Sequence, residues 1–134
     1  MKRFGLALLL AALAWPAVAQ SGHGMTLEDY RQAFNTPATE ETVDWTVYAT
    51  AYIEGFGNGL LLSNGLLAVQ GRAPALCVPK GLTLNFKNFK RMIDNQIEES
   101  SKTETLKNDL TVETVLIAAM DKAFRCPEKP LTRQ

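Results

Sequence analysis

Residues 43–69 read VDWTVYATAYIEGFGNGLLLSNGLLAV, a stretch with few charges and a large apolar or aromatic side chain at every fourth position. The positions with this spacing are Tyr48, Tyr52, Phe56 and Leu60. Such a spacing predicts one face of an α-helix. We therefore expect a long helix over residues 43–69, with the rest of the fold arranged around it.

Three glycines, Gly55, Gly57 and Gly59, lie in the middle of this predicted helix. Each costs up to about 1 kcal/mol relative to alanine in a helix interior. A phosphate-binding loop is a poor explanation, because no strand precedes the glycines and no Lys-Ser/Thr pair follows them. We interpret them as sites where another helix approaches closely or where the helix bends. Residues 63–65, Ser-Asn-Gly, are a second weak point, at which the helix divides if it forms two pieces.

A short helix is predicted on the N-terminal side, from Leu27 to Phe34, with Thr26 and Asp29 as a capping-box-like start. Pro37 ends this segment, because the residue before a proline disfavours the helical region. Residues 70–82 contain glycines and prolines and are predicted to be a loop.

Two further helices follow this loop. The first is predicted from an N-cap at Thr83 to about Glu99, with a buried face of Phe86, Phe89, Ile93 and Ile97. The second is predicted to begin after Thr111 and to end at Cys126 and Pro127, with a buried stripe of Val112, Val115, Leu116, Ala119 and Ala123. The fold class that we expect is all-α, a small bundle of about four main helices with one disulfide.

The first nineteen residues have the three parts of a cleavable secretory signal. Lys2 and Arg3 precede an uncharged run rich in Leu and Ala, and a small-x-small cleavage site ends at Ala19. The uncharged run is too short for a transmembrane helix, which needs about 20 residues. We expect residues 1–19 to be a signal peptide and residues 20–134 to be one domain with a core at about 26–127. Loss of the two basic residues leaves the mature chain slightly acidic, which argues against nucleic-acid binding.

The two cysteines, Cys77 and Cys126, both lie in the mature chain. An even pair in an exported protein predicts a disulfide. A redox or metal pair is the alternative, but the cysteines lack a CxxC spacing and the chain has one histidine. The disulfide would bring the start of the third helix near the end of the fourth.

No catalytic constellation is evident in the sequence. His23, the one histidine, lies a few residues after the predicted cleavage site, so a Ser-His-Asp or Cys-His arrangement has no base within the predicted domain. Acidic pairs such as Glu40-Glu41 and Glu98-Glu99 lie at helix ends or loops. A hydrolase with two carboxylates assembled in space stays open as an alternative. The residues favour a binding function over an enzyme.

Two motifs and the helix upstream of them resemble the Tai/Rap family of periplasmic type VI secretion amidase immunity proteins. The motifs are the Cys-Val-Pro-Lys-Gly-Leu-Thr run at 77–83 and the Ala-Met-Asp-Lys-Ala-Phe-Arg-Cys run at 119–126. Upstream, Tyr-Ile-Glu-Gly at 52–55 resembles a stretch in the long helix of that family. The resemblance covers residues 45–127.

The resemblance implies an all-helical, periplasmic homodimer that binds a peptidoglycan amidase toxin and occludes its active site. It implies no catalysis by this chain. We also expect no cofactor or metal, and the slightly acidic mature chain argues against binding to nucleic acid or to a membrane surface. The alternative is a periplasmic helical binding or envelope-stress module with the same fold and a different partner.

An occluding protein needs a protruding segment on a rigid base. Two loops are exposed and charged enough to supply it, residues 98–109 and residues 70–82. The partner-binding residues that we expect in these loops are Glu99, Lys102, Thr103, Glu104, Lys107 and Arg72.

Overall fold

The computed structural model describes residues 24–37, 39–103 and 106–127. The predicted signal peptide and His23 lie outside the described residues. Within these ranges the chain forms four α-helices, which are α1 (Leu27–Asn35), α2 (Glu40–Val69), α3 (Phe86–Ser101) and α4 (Val112–Phe124). The prediction of a small all-α bundle is confirmed. No helix among the described residues combines the length and apolarity that crossing a membrane requires.

The start of α1 follows the predicted capping box. The Thr26 hydroxyl accepts a hydrogen bond from the Asp29 amide at 3.1 Å, and the Asp29 carboxylate accepts one from the Thr26 amide at 3.0 Å. Two amides that the helix leaves without partners are thereby satisfied. Leu27, Tyr30 and Ala33 form the buried face of α1.

The long helix α2 begins at Glu40, three residues before the predicted start, and runs without a break through residues 63–65. Its C-terminus is a Schellman motif. Gly71 adopts a positive φ of 70°, its amide donates to the Ala68 carbonyl, and the Arg72 amide donates to the Leu67 carbonyl at 2.9 Å. Glycine is the residue that adopts this left-handed conformation without strain.

Of the three glycines in the middle of α2, Gly57 is the one at which α3 approaches closely. A Cβ at this position would lie 2.6 Å from the ring of Phe89, so α3 packs directly on the α2 backbone there. Gly55 and Gly59 are exposed and have open space around them. The expectation of a close approach therefore holds at Gly57 and not at the two glycines spaced four apart.

The start of α3 differs from the prediction. Its N-cap is Asn85, whose side chain accepts from the Asn88 amide at 3.3 Å, while the Asn88 side chain accepts from the Asn85 amide at 3.0 Å. Thr83 lies two residues earlier and is exposed. The reciprocal pair satisfies the backbone amides of both Asn85 and Asn88, which makes Asn85 the better cap.

The helix α4 begins after Thr111, as predicted, and the Thr111 hydroxyl accepts from the Thr114 amide. Its buried stripe contains Met120, which is fully buried, in place of Ala123, which is exposed. The predicted stripe was therefore wrong at this one position, because α4 faces the core through the side that carries Met120.

All four helices contribute to one hydrophobic core. Its fully buried large side chains are Leu27 of α1, Ile53 of α2, Phe89 and Ile93 of α3, and Val112, Leu116 and Met120 of α4. Full burial of a side chain of this size is worth about 1.5–3 kcal/mol. Each helix is thus held by apolar burial on one face.

Cys77 and Cys126 form the predicted disulfide, with Cα atoms 4.9 Å apart. Beside it, the Cys77 amide donates to the Phe124 carbonyl at 2.7 Å, and Leu76 forms an isolated bridge with Arg125. The bond joins the loop after α2 to the end of α4 across 49 residues. A loop closed over that length gives about 4 kcal/mol in the chain-entropy model.

Candidate functional site

Four of the predicted partner-binding residues lie on or beside the connection between α3 and α4. We call residues 102–111 the connecting segment. Lys102, Thr103 and Lys107 belong to it and are exposed, and Glu99 lies in the last turn of α3. Glu104 lies outside the described residues.

The first end of the connecting segment is fixed to the C-terminus of α3. The Lys102 amide donates to the Glu99 carbonyl at 3.1 Å, and both the amide and the hydroxyl of Thr103 donate to the Ser100 carbonyl at 3.1 Å. Lys102 also forms an ion pair with Glu98 at 3.1 Å. These bonds satisfy carbonyls that a helix end leaves free, and they hold the start of the segment in place.

The second end of the connecting segment is fixed to α1. The Leu27 amide donates to the Leu110 carbonyl at 2.9 Å, and the Arg31 guanidinium donates to the Asn108 side chain at 2.5 Å. Leu106 and Leu110 pack against the core. Both ends of the segment are therefore anchored, and Lys107 is presented to solvent between them.

An ion pair between Glu99 and Lys122 joins the last turn of α3 to the last turn of α4. The hydrogen bond from Lys122 and its positive charge lower the pKa of the Glu99 carboxyl, with a smaller contribution from Lys102. Both side chains are more than half exposed, so the pair contributes little to stability. Its effect is to fix the position of Glu99 beside a cleft of about 420 Å³ lined by Met92, Asn95, Gln96, Glu99, Ala119, Lys122 and Ala123.

Arg72 has a different setting, because it lies at the end of α2 in the loop that leads to the disulfide. This loop is held by Asn64, whose side chain accepts from the Leu76 amide and donates to the Leu76 carbonyl, both at 2.8 Å. Together with the Cys77–Cys126 bond, Asn64 pins residues 72–77 onto α2 and α4. The sequence did not single out Asn64, since the role of its side chain depends on a loop 12 residues away.

The outward face of α2, the side of this helix that does not pack on the core, is a further feature that was not predicted from the sequence. The side chains of Val47, Leu62, Leu66 and Val69 on this face are between 50% and 84% exposed. A lone exposed apolar residue is ordinary, but several of them on one helix, three of them close together at Leu62, Leu66 and Val69, favour an interaction surface. The signal was present in the sequence, because a helix that is apolar on all sides has more apolar surface than one core contact covers.

An apolar groove lies next to this face, between α2, the disulfide loop and α4. Its volume is about 280 Å³, and its lining is formed by Leu60, Ser63, Asn64, Leu67, Ala75, Leu76, Ile117, Met120 and Asp121. In residues 24–37, 39–103 and 106–127, no group of three His, Cys, Asp or Glu side chains is placed to hold a metal ion. The surfaces just described are suited to contact with another protein.

Comparison of the chain with protein-family models, curated proteins and solved structures finds no match. The resemblance to the immunity proteins therefore rests on the motifs quoted from the sequence. The structure brings the two cysteine motifs into contact, through the disulfide and the hydrogen bond between Cys77 and Phe124.

Proposed function

We propose that this protein is a periplasmic immunity protein that binds a peptidoglycan amidase toxin and occludes its active site. The observation that carries the proposal is the junction of the two cysteine motifs, at residues 77–83 and 119–126, in one disulfide-linked unit at the end of α4. These are the motifs on which the resemblance to the immunity family rests, and their contact in one unit is what supports the proposal.

The connecting segment is the part that we assign to the toxin's active-site cleft. Its described residues, 102–103 and 106–111, include exposed Thr103 and Lys107, and hydrogen bonds hold these two stretches to the α3 C-terminus and to α1. Residues that are already held in place lose less conformational entropy on binding than flexible ones. Lys102, Thr103 and Lys107 offer hydrogen-bond donors to carbonyls or carboxylates in the cleft.

The proposed location follows from the predicted signal peptide and from the disulfide, because disulfides persist in oxidising compartments. Under this proposal the chain catalyses no reaction and needs no cofactor, since inhibition requires only that it stay bound. Its protein partner is the amidase that would otherwise cleave the cell wall.

The proposal is tested by co-purification with the product of the neighbouring gene, which should be a peptidoglycan amidase, followed by measurement of the binding affinity. Replacement of Lys102, Thr103 and Glu104 by alanine should weaken binding by at least about tenfold, or about 1.4 kcal/mol. Lys87→Ala is the matched control, because Lys87 is an exposed lysine on α3 away from the connecting segment. Its affinity should equal that of the wild type.

Two outcomes would contradict the proposal in different ways. An unchanged affinity in the triple-alanine variant would remove the connecting segment from the interface, and residues 70–82 with Arg72 would then be the segment to test. Failure of the wild-type protein to bind any amidase would instead favour the alternative, a periplasmic helical module with another partner.

A further inference from the structure

The N-terminal half of α2 presents a surface that is both acidic and apolar. Seven of its residues lie at positions i, i+3, i+4, i+7, i+8, i+11 and i+14, which places them on one side of the helix. Buried Ala49 and Ile53 lie on the opposite side, so these seven residues point away from the core. We call them the acidic face, and they are Glu40, Val43, Asp44, Val47, Tyr48, Ala51 and Glu54.

The negative charge of the acidic face has no basic partner among the described residues. Between residues 32 and 71 the sequence has no lysine or arginine. Every ion pair found among the described residues joins side chains from α3, α4 or the residues directly after them. Arg31, the nearest base on the N-terminal side, donates to Asn108. Glu40, Asp44 and Glu54 therefore favour a partner that brings positive charge.

The apolar part of the acidic face is exposed and contains an aromatic ring held in place. The exposed fractions are 64% for Val47 and 52% for Tyr48. The Tyr48 ring stacks on Trp45 at 5.0 Å between ring centres and on Tyr52 at 6.1 Å. The Trp45 indole in turn donates to the Asp29 carbonyl at 3.3 Å, which ties this row of rings to α1. An exposed ring that is already ordered is the kind of residue that anchors a protein contact.

These properties together select a basic amphipathic helix as the occupant. Lysine and arginine cover apolar surface with their long stems while their charged heads reach outward, so they suit a face on which valines lie beside carboxylates. Their charged groups are also attracted to an exposed tyrosine ring. From Glu40 to Glu54 the face is about 21 Å long, which is the length of a helix of about four turns.

A second copy of the chain is a poor occupant of this surface. Two acidic faces brought together would place the carboxylates of Glu40, Asp44 and Glu54 from both copies in one interface. No basic side chain of the acidic face would balance them, and like charges placed together in an interface are unfavourable.

We infer that the acidic face of α2 docks a basic amphipathic helix of another protein, with lysine or arginine near the carboxylates and apolar side chains on Val43, Val47 and Tyr48. Recognition of an amphipathic helix through its apolar anchors is a common mode of peptide binding. The inference concerns this side of α2 and stands whether or not the partner of the connecting segment is an amidase.

Peptide binding to the mature chain, residues 20–134, tests the inference. Trp45 is the single tryptophan left after removal of residues 1–19, so its fluorescence reports on the acidic face. A synthetic peptide of about 14 residues, with leucine and lysine in the helical pattern, should change this fluorescence saturably. Raising the salt from about 50 mM to about 500 mM should weaken its binding about tenfold or more, because salt screens exposed charges. The same peptide with glutamate in place of lysine should not bind. No saturable binding of the lysine peptide, or equal binding of the glutamate peptide, would overturn the inference.

Matched variants locate the binding surface, with affinities measured by calorimetry and folding checked by circular dichroism. Asp44→Asn should weaken binding of the lysine peptide about two- to fivefold, as expected for one exposed charge. Glu98→Gln removes one charge from an exposed carboxylate on α3 and should leave the affinity unchanged. Tyr48→Ala should weaken binding about tenfold or more, whereas Leu82→Ala, at an exposed leucine outside α2, should not. Equal losses in the variants and their controls would contradict docking on the acidic face.

Two further measurements distinguish the other occupants. Vesicles of phosphatidylcholine should leave the Trp45 fluorescence unchanged, and a change as large as that caused by the peptide would assign the face to lipid. Analytical ultracentrifugation should give the same oligomeric state for the wild type and for Tyr48→Ala. A dimer that Tyr48→Ala dissociates would assign the face to a second copy, and either of these results would overturn the inference.

Discussion

At Gly57 the backbone of α2 lies against the ring of Phe89, which is fully buried. A methyl group there has no space, while at Gly59 it would meet nothing within 4 Å. The same residue type in the same helix therefore has opposite consequences at two positions, decided by what packs against each.

We predict that Gly57→Ala destabilises the protein by about 1–3 kcal/mol, because the added carbon forces Phe89 or α3 to move. Gly59→Ala should stabilise it by about 0.5–1 kcal/mol, because alanine loses less backbone entropy in a helix. Urea unfolding of both variants measures the difference. Equal effects at the two positions would contradict the packing described for Gly57.

Tyr30 is a second residue whose effect depends on its surroundings, because they set the pKa of its hydroxyl group. Its ring is buried in the core, and its hydroxyl donates to the Asp94 carboxylate at 2.5 Å. Burial, and then the hydrogen bond to Asp94 and its negative charge, raise the pKa of Tyr30 above the ordinary value of a phenol. The folded protein thus holds this proton more tightly than the unfolded chain does.

The sign of the resulting pH dependence follows from linkage. The stability that Tyr30 contributes is complete below the pKa of an unfolded tyrosine, about 10, and is lost as the pH rises above it. Tyr30→Phe should cost about 1 kcal/mol near neutral pH through the lost hydrogen bond, and its stability should fall less steeply above pH 10. Unfolding measured across alkaline pH tests this, and parallel curves for the two proteins would refute it.

Among the elements, α1 and α3 were predictable because each has a polar side and an apolar side, so the period of the sequence identifies the buried face. In α4, which is largely apolar, the same reasoning placed Ala123 in the buried stripe instead of Met120. The helix α2 was predictable in existence but not in orientation. It is apolar all round, and its regular aromatic row includes Tyr48, which is half exposed, whereas Ala49 and Ile53 are buried. Hydrophobic period alone does not select the face that packs when every face is apolar.

The beginning of α3 shows how two candidate caps compete. Thr83 and Asn85 both have side chains that cap helices, but Asn85 has a reciprocal partner three residues later in Asn88. We predict that Asn85→Ala lowers the free energy of unfolding by about 1 kcal/mol and that Thr83→Ala leaves it unchanged. Thermal unfolding of the two variants measures this, and a larger loss from Thr83→Ala would restore the cap expected from the sequence.

In the whole molecule, two contacts hold the loop after α2. The disulfide joins this loop to the end of α4, and the Asn64 side chain joins it to α2. The disulfide could be predicted from the cysteine count together with the predicted signal peptide. The Glu99–Lys122 ion pair could not, because it joins residues 23 apart on two helices whose relative position is set by core packing.

We expect that replacing Cys77 and Cys126 together by serine costs about 2–4 kcal/mol, because the unfolded chain gains the freedom of the opened loop. The loss should appear as a lower urea midpoint, and dithiothreitol should lower the midpoint of the wild type but not of the double variant. A double variant as stable as the wild type would show that core packing alone holds the end of α4.

We propose that this chain protects a cell from a wall-cleaving amidase by binding it outside the cytoplasm. The most direct measurement is growth of bacteria that export the amidase found by co-purification to the periplasm while producing this chain with its predicted signal. We predict that growth is restored by the wild type, restored less by the variant with alanine at Lys102, Thr103 and Glu104, and not restored when residues 1–19 are deleted. Lysis that proceeds equally with and without the exported wild-type chain would contradict the proposed immunity function.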